Sequence, residues 1–135
     1  LVDVNDERFL APESMVEEVR SACWETLQQV PKTIGEIAAV IYNSLANCYA
    51  EVAGEIEAIT GRTYAGIHIV GGGANAEFLN RLTAKYTKKK IYAGPTEATA
   101  LGNISVQMIA AGEFADLKET RKCIFDSFEI KLYEA

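Results

Sequence analysis

The chain has 135 residues, of which 49% are hydrophobic and 24% charged, a balance typical of a folded globular domain rather than of a disordered segment. The formal net charge is −6, from 13 Lys and Arg against 19 Asp and Glu, which argues against a nucleic-acid-binding surface. No apolar run approaches the roughly 20 residues that a membrane-spanning helix needs, so the composition also argues against a membrane protein.

Two helices are predicted in the first half of the chain. A capping box that starts at Ser14 predicts the first, whose apolar residues recur at helical spacing until Pro31 ends it. A second capping box at Thr33 predicts a longer helix, in which apolar residues step by three and four up to Gly61. At 1.5 Å per residue this helix would be roughly 40 Å long, and it needs a large partner surface to bury its apolar face.

A strand–helix–strand unit is predicted to follow. Residues 67–70 form a short β-branched run that is typical of a buried strand, and three consecutive glycines come directly after it. A helix is predicted from Ala74 to Tyr86, and residues 91–93 form a second short strand. Because two parallel strands are not a stable sheet, further strands are expected from another chain or from a missing N-terminal part.

The last third of the chain is predicted to hold two more helices. Thr96 is predicted to cap a helix that runs to about Ala111, and Asp116 opens the next one. Gly102 lies inside the first of these helices, where glycine costs roughly 1 kcal/mol against alanine, and this indicates a packing contact or a ligand. The tail, residues 127–133, alternates weakly and is interpreted as a strand or a strap. The order of elements predicts an α/β fold.

The run Gly71-Gly72-Gly73, between the first strand and its helix, is the most informative segment. Because glycine has no Cβ, a ligand can lie directly on the backbone, and the free amides of the following helix favour a phosphate or another polar acceptor. The carboxyl ends of strands are also where open α/β sheets bind ligands. A tight turn needs one glycine, so three in a row favour a ligand site. No Lys-Ser or Lys-Thr follows, which excludes a P-loop.

Two other functions stay open from the residues alone. The segment from Gly71 to Ala76 fits the loose G-x-G-x-x-G/A pattern of a dinucleotide-binding module. That fingerprint also needs an acidic residue about 20 positions further on, at the end of the next strand. The nearest acid there is Glu97, beyond the turn, so this hypothesis ranks second. The other alternative is a non-catalytic interaction domain whose exposed strand edge pairs with another chain.

Several motifs together resemble the C-terminal domain of the FGGY family of sugar kinases. The motifs that carry the likeness are residues 67–73, 79–84 and 93–103, with further likeness at 6–12, 31–38 and 41–46. The likeness covers nearly the whole chain, and within the family it is greatest to the members that phosphorylate L-rhamnulose. The glycine run alone is common to the family, whereas its combination with the Ala-Gly-Pro-Thr-Glu-Ala segment is much more specific.

The resemblance implies a partial ribonuclease-H-like domain of the actin-type ATPase kind, with long helices and a β-α-β-α unit but without the first strands of its sheet. Residues 1–135 would be a fragment of the C-terminal, second domain of a two-domain sugar kinase. The missing N-terminal part would carry the general-base Asp, so neither a catalytic residue nor a metal ligand is expected here. The fragment alone is expected to be inactive, to expose apolar surface and to self-associate.

The resemblance also implies ATP with Mg²⁺ as the phosphoryl donor and a ketose, L-rhamnulose, as the substrate. Gly72 and Gly73 would line the adenine, Gly71 would shape the turn, and Asn75 would lie near the nucleotide. Neither nucleic acid nor a membrane is an expected partner. The cysteines are sparse and odd in number, and no signal peptide is evident, which together predict a cytoplasmic protein.

Overall fold

The computed structural model describes all of residues 1–135. The chain divides into two compact units, Leu1–Thr63 and Tyr64–Ala135, and each has a hydrophobic cluster of its own. The first unit is helical and the second is mixed α/β, which confirms the predicted α/β class. None of the five helices combines the length and the apolar character that crossing a membrane requires.

Two helices make up most of the first unit. They are α1 (Met15–Glu25) and α2 (Ile34–Thr60), and a 3-10 turn at Glu7–Phe9 precedes them. Val19 and Cys23 of α1, each 1% exposed, pack with Ile37 of α2. Apolar residues near the start of α2 therefore pack against α1 and form the core of the unit, whereas Ile34 and Ile59, at the two ends of the predicted apolar face, are each 85% exposed.

Both helices of the first unit begin directly after the predicted capping residue, although only one capping box is complete. The Thr33 hydroxyl accepts a hydrogen bond from the Glu36 amide at 3.2 Å, and the Glu36 carboxylate accepts from the Thr33 amide at 2.9 Å. The Ser14 hydroxyl accepts from the Glu17 amide at 3.4 Å. The Glu17 carboxylate pairs with Arg20 at 2.8 Å instead of returning to Ser14.

The two helices end in different ways. Gly61 ends α2 as predicted, because it adopts the left-handed conformation with φ +64° and its amide donates to the Glu57 carbonyl at 2.9 Å. The prediction that Pro31 ends α1 is wrong, since the helix ends earlier, at Glu25. Leu27, with φ +56°, turns the chain out of α1 before the proline is reached.

The second unit is a three-stranded sheet with three helices. Its elements are β1 (Gly66–Ile69), a 3-10 turn (Gly71–Asn75), α3 (Glu77–Thr87), β2 (Lys90–Ala93), α4 (Ala98–Ala110), α5 (Leu117–Ser127) and β3 (Lys131–Tyr133). The strand order is β1-β2-β3, with β1 and β2 parallel and β2 and β3 antiparallel. The tail is therefore a strand and not a strap, and the chain itself supplies a third strand. The ribonuclease-H-like topology and the missing first strands stay predictions.

One face of the sheet is buried under α3. Ile91 of β2 and Ala84 of α3 are fully buried there, and Tyr133 of β3 belongs to the same cluster. The opposite face carries His68 and Tyr92, whose rings stack with their centroids 4.9 Å apart. Because successive side chains of a strand alternate between faces, β2 presents Ile91 to the core and Tyr92 to this second face.

The predicted start of α3 at Ala74 is wrong. The Gly71–Asn75 segment winds as a 3-10 turn, and the α-helix begins only at Glu77. Ala76 joins the two with ψ +67°, outside the helical range, so the backbone cannot continue as one helix. A separate turn therefore lies between β1 and α3, and the glycines belong to that turn.

The two last helices begin in different ways. The prediction that Thr96 caps α4 is wrong, because α4 begins at Ala98, its N-cap position is held by Glu97, and no side chain makes a capping hydrogen bond. Asp116 does cap α5, as predicted, since its carboxylate accepts from the Glu119 amide at 2.8 Å.

Candidate functional site

Two turns meet at the carboxyl ends of the parallel strands β1 and β2. The amide of Gly71, in the turn after β1, donates to the carbonyl of Pro95 at 3.0 Å. In the other direction, the amide of Gly94, after β2, donates to the carbonyl of Ile69 at 2.8 Å. These two bonds join the turn after β1, Gly71–Asn75, which we call the glycine turn, to the second turn, residues 94–97. Both turns lie at the edge of the sheet where α/β proteins bind ligands.

The three positions of the glycine turn that hold glycine differ in whether backbone conformation or packing requires that residue. Gly71 has φ +73°, a conformation that residues with a side chain rarely adopt. A Cβ at Gly73 would lie 3.4 Å from Cγ2 of Ile69, at the limit of close packing. A Cβ at Gly72 would have no neighbour within 4 Å, and its φ lies outside the left-handed region. Nothing inside the protein therefore requires glycine at position 72, and its bare backbone is open to an external ligand.

A buried amide holds the glycine turn from within. Asn80 of α3 is 1% exposed, and its Nδ2 donates to the carbonyl of Ala74 at 3.1 Å and to that of Gly73 at 3.4 Å. Sequence reasoning did not assign Asn80 a role. The signal for it is a polar residue on the core-facing side of an amphipathic helix, directly after a loop rich in glycine.

Asn75 does not share one cavity with the three glycines. It lines an opening of about 290 Å³ together with Thr96 and Glu97 of the second turn and with Phe128 and Lys131 of the tail. Gly72 and Gly73 are exposed and do not line this opening. The walls offer an aromatic ring, an amide, a hydroxyl and both signs of charge, which together suit a flat heterocycle with polar edges. The contribution of the tail was not predicted.

A larger cavity of about 800 Å³ lies between α4, α5 and the open face of the sheet. Gly102 lines it, and a Cβ there would meet no atom within 4 Å. The packing contact offered as one reason for this mid-helix glycine is therefore absent from the structure. Arg121 and Lys122 of α5 add positive charge to walls that are otherwise mostly apolar.

The N-terminus of α3 carries an acid rather than an open anion site. Glu77 opens the helix, and its carboxylate pairs with Arg81 at 2.7 Å. This hydrogen bond, with the charge of the guanidinium, lowers the pKa of Glu77 below its ordinary value. Because α3 begins only at Glu77, the 3-10 turn separates its first amides from the glycine run, and a phosphate at these amides stays a prediction. No group of three or more His, Cys, Asp or Glu side chains that could hold a metal ion occurs in residues 1–135.

Comparison with known proteins gives a consistent result along the chain. Residues 2–111 match the model of the FGGY family of carbohydrate kinases, C-terminal domain. Rhamnulokinase of Bacillus subtilis is 48% identical over 132 residues, which cover 98% of this chain and 27% of that protein. Rhamnulokinases of Enterococcus faecalis and Yersinia pestis are 46% and 40% identical, over 99% and 96% of this chain. The chain spans only 27% to 28% of the length of these relatives.

Proposed function

The chain belongs to the FGGY family of carbohydrate kinases, and from this premise we propose that it forms the C-terminal part of an ATP-dependent kinase for L-rhamnulose. The relatives that support this substrate are named rhamnulokinase and are 40% to 48% identical over nearly the whole chain. Membership of a kinase family disfavours the dinucleotide-binding and the non-catalytic alternatives.

In the proposed reaction, the primary hydroxyl of L-rhamnulose attacks the γ-phosphorus of ATP, giving L-rhamnulose 1-phosphate and ADP. An Asp outside residues 1–135 takes the hydroxyl proton, and catalysis otherwise consists of positioning and neutralisation of charge. Mg²⁺ accompanies the phosphates, which are its usual ligands in phosphoryl-transfer sites. The present chain supplies the adenosine side of the site and no catalytic residue.

The observation that carries this proposal is the bare backbone at Gly72. A purine ring is flat, and it can lie on a peptide plane only where no Cβ stands between them. Gly71 sets the turn through its positive φ, and Gly73 lies close to Ile69 of β1. Asn75, two residues after Gly73, would offer its side-chain amide to the polar edge of a base that extends towards the neighbouring opening. The residues present therefore fit an adenine nucleotide.

The experiment that tests the proposal is Gly72→Val in the full-length protein that contains this sequence. The valine side chain occupies the space above the turn, so the KM for ATP is expected to rise by about tenfold or more, with little change in the KM for L-rhamnulose. Gly35→Val is the matched control, because Gly35 in α2 also has no neighbour within 4 Å. An unchanged KM for ATP in Gly72→Val removes the glycine turn from the nucleotide site.

A further inference from the structure

Asn80 is an unusual residue for its position in α3. It is 1% exposed, and asparagine is both a weaker helix former than an apolar residue such as leucine and costly to bury unless it is hydrogen-bonded. Packing alone would favour an apolar side chain there. The hydrogen bonds of the Asn80 side chain explain why a polar residue occupies this buried position.

Both hydrogen bonds of the Asn80 side-chain amide are made to residues outside its own helix. They reach the carbonyls of Gly73 and Ala74, which belong to the 3-10 turn before α3. Thr83 offers a comparison inside the same helix, since it is also 1% exposed and its hydroxyl donates to the carbonyl of Leu79 in its own helix, at 2.8 Å. Of these two buried polar side chains, only Asn80 reaches the glycine turn.

The contact fixes one end of the glycine turn. Gly71 is held at the other end by its hydrogen bond to the Pro95 carbonyl, so Gly72 lies between two anchored residues. Glycine loses more conformational freedom on ordering than any other residue. A turn that is already ordered in the free protein does not lose that freedom when a ligand binds, and this raises affinity.

We propose that Asn80 is a positioning residue for nucleotide binding, which sets the affinity for ATP by holding the carbonyls of Gly73 and Ala74 without touching the nucleotide. This inference rests on the proposed function of the glycine turn. The Asn80 side chain lies in the core beneath the turn, and not on the open surface of the site.

The test is Asn80→Ala in the full-length protein, with Thr83→Ala as the matched control. Each variant removes the hydrogen bonds of one buried side chain from the same helix. We expect Asn80→Ala to raise the KM for ATP by about tenfold, with kcat and the KM for L-rhamnulose within twofold of the parent. Thr83→Ala is expected to lower the melting temperature and to leave the KM for ATP unchanged.

Two results overturn the proposal. The first is a shift in the KM for ATP no larger in Asn80→Ala than in Thr83→Ala, and the second is an equal rise in the KM of both substrates. The KM for ATP of Gly72→Val shows whether only the proposed role of Asn80 is wrong or the proposed nucleotide site as well. If Gly72→Val raises the KM for ATP and Asn80→Ala does not, only the role of Asn80 is lost. If neither variant raises it, the nucleotide site itself is lost.

Hydrogen exchange and a second variant keep the test decisive if Asn80→Ala folds poorly. Asn80→Leu removes the donor but keeps the number and branching of the side-chain heavy atoms, so it avoids the cavity that alanine leaves. The backbone amides of residues 72–75 are expected to exchange faster in Asn80→Leu than in the parent or in Thr83→Ala, without bound nucleotide. Equal exchange in all three proteins contradicts the anchoring of the turn.

Discussion

A Cβ atom added at Gly94 would lie 2.7 Å from the backbone carbonyl oxygen of Glu129. The backbone of Gly94 has φ +131°, and its amide bonds the carbonyl of Ile69 at 2.8 Å. The end of β2, the end of β1 and the tail before β3 therefore converge on one residue. The tail can approach this closely only because position 94 has no side chain.

Gly94→Ala is therefore expected to destabilise the protein, by about 2 to 4 kcal/mol, because the methyl group overlaps a backbone atom and the positive φ is strained for alanine. The measurement is thermal or urea unfolding of the full-length protein. Gly72→Ala is the control, since a Cβ there meets no atom within 4 Å and φ is not positive. The prediction fails if the two variants are equally stable.

Gly71 allows a prediction that separates backbone strain from crowding. Its φ is +73°, but a Cβ there would be 3.9 Å from the nearest atom, the carbonyl oxygen of Thr96, which is an ordinary contact. Gly71→Ala is expected to cost about 1 to 2 kcal/mol from φ alone, and Gly71→Asn less, because asparagine tolerates the left-handed region better. The unfolding midpoints of the two variants show which one is the less stable. A larger loss for asparagine than for alanine contradicts this explanation.

The elements that could be predicted from the sequence are those set by neighbouring residues. The capping box of Thr33 with Glu36 and the stop at Gly61 are local, since each needs only contacts within a turn of helix. The start of α3 was missed because the chain leaves helical geometry at Ala76, with ψ +67°, and alanine is the best helix former, so its identity gives no local signal of a break. The third strand was left open because Lys131–Tyr133 pairs with a strand that ends far earlier in the chain.

The candidate site shows the same division. The glycine turn was found because three consecutive glycines are visible without any knowledge of the fold. Phe128 and Lys131 were not found as part of the opening beside Asn75, because the antiparallel pairing of β3 with β2 brings them there. Local patterns therefore pointed to the glycine turn and to Asn75, whereas tertiary pairing brings Phe128 and Lys131 to the opening that Asn75 lines.

Glu36 gives α2 a stability that depends on pH. Hydrogen bonds from the backbone amides of Thr33, at 2.9 Å, and Lys32, at 2.6 Å, lower the pKa of its carboxyl below the ordinary value of 4.5. A lowered pKa in the folded state stabilises the fold above the unfolded-state pKa and loses this effect as the pH falls through the folded-state value. Glu36→Gln is therefore expected to be less stable than the parent at pH 7, with a smaller difference at pH 3.

Urea unfolding at the two pH values measures this difference. Glu55→Gln removes a carboxylate from an exposed position on the same helix and serves as the control for net charge. For each variant, the difference in unfolding free energy from the parent is compared at pH 7 and pH 3. If this difference changes equally for Glu36→Gln and Glu55→Gln, the capping box does not account for the pH dependence.

The isolated 135-residue chain is expected to release no ADP and to phosphorylate no L-rhamnulose, even with millimolar Mg-ATP. The proposed base lies outside these residues, and phosphoryl transfer needs the acceptor hydroxyl and the γ-phosphate to be held together. A coupled assay of ADP release measures this, with the full-length protein as the active reference and circular dichroism to show that the chain is folded. Sugar-dependent ADP release by the folded chain would mean that one of its own carboxylates acts as the base, and the assignment of the chain to the adenosine side alone would be wrong.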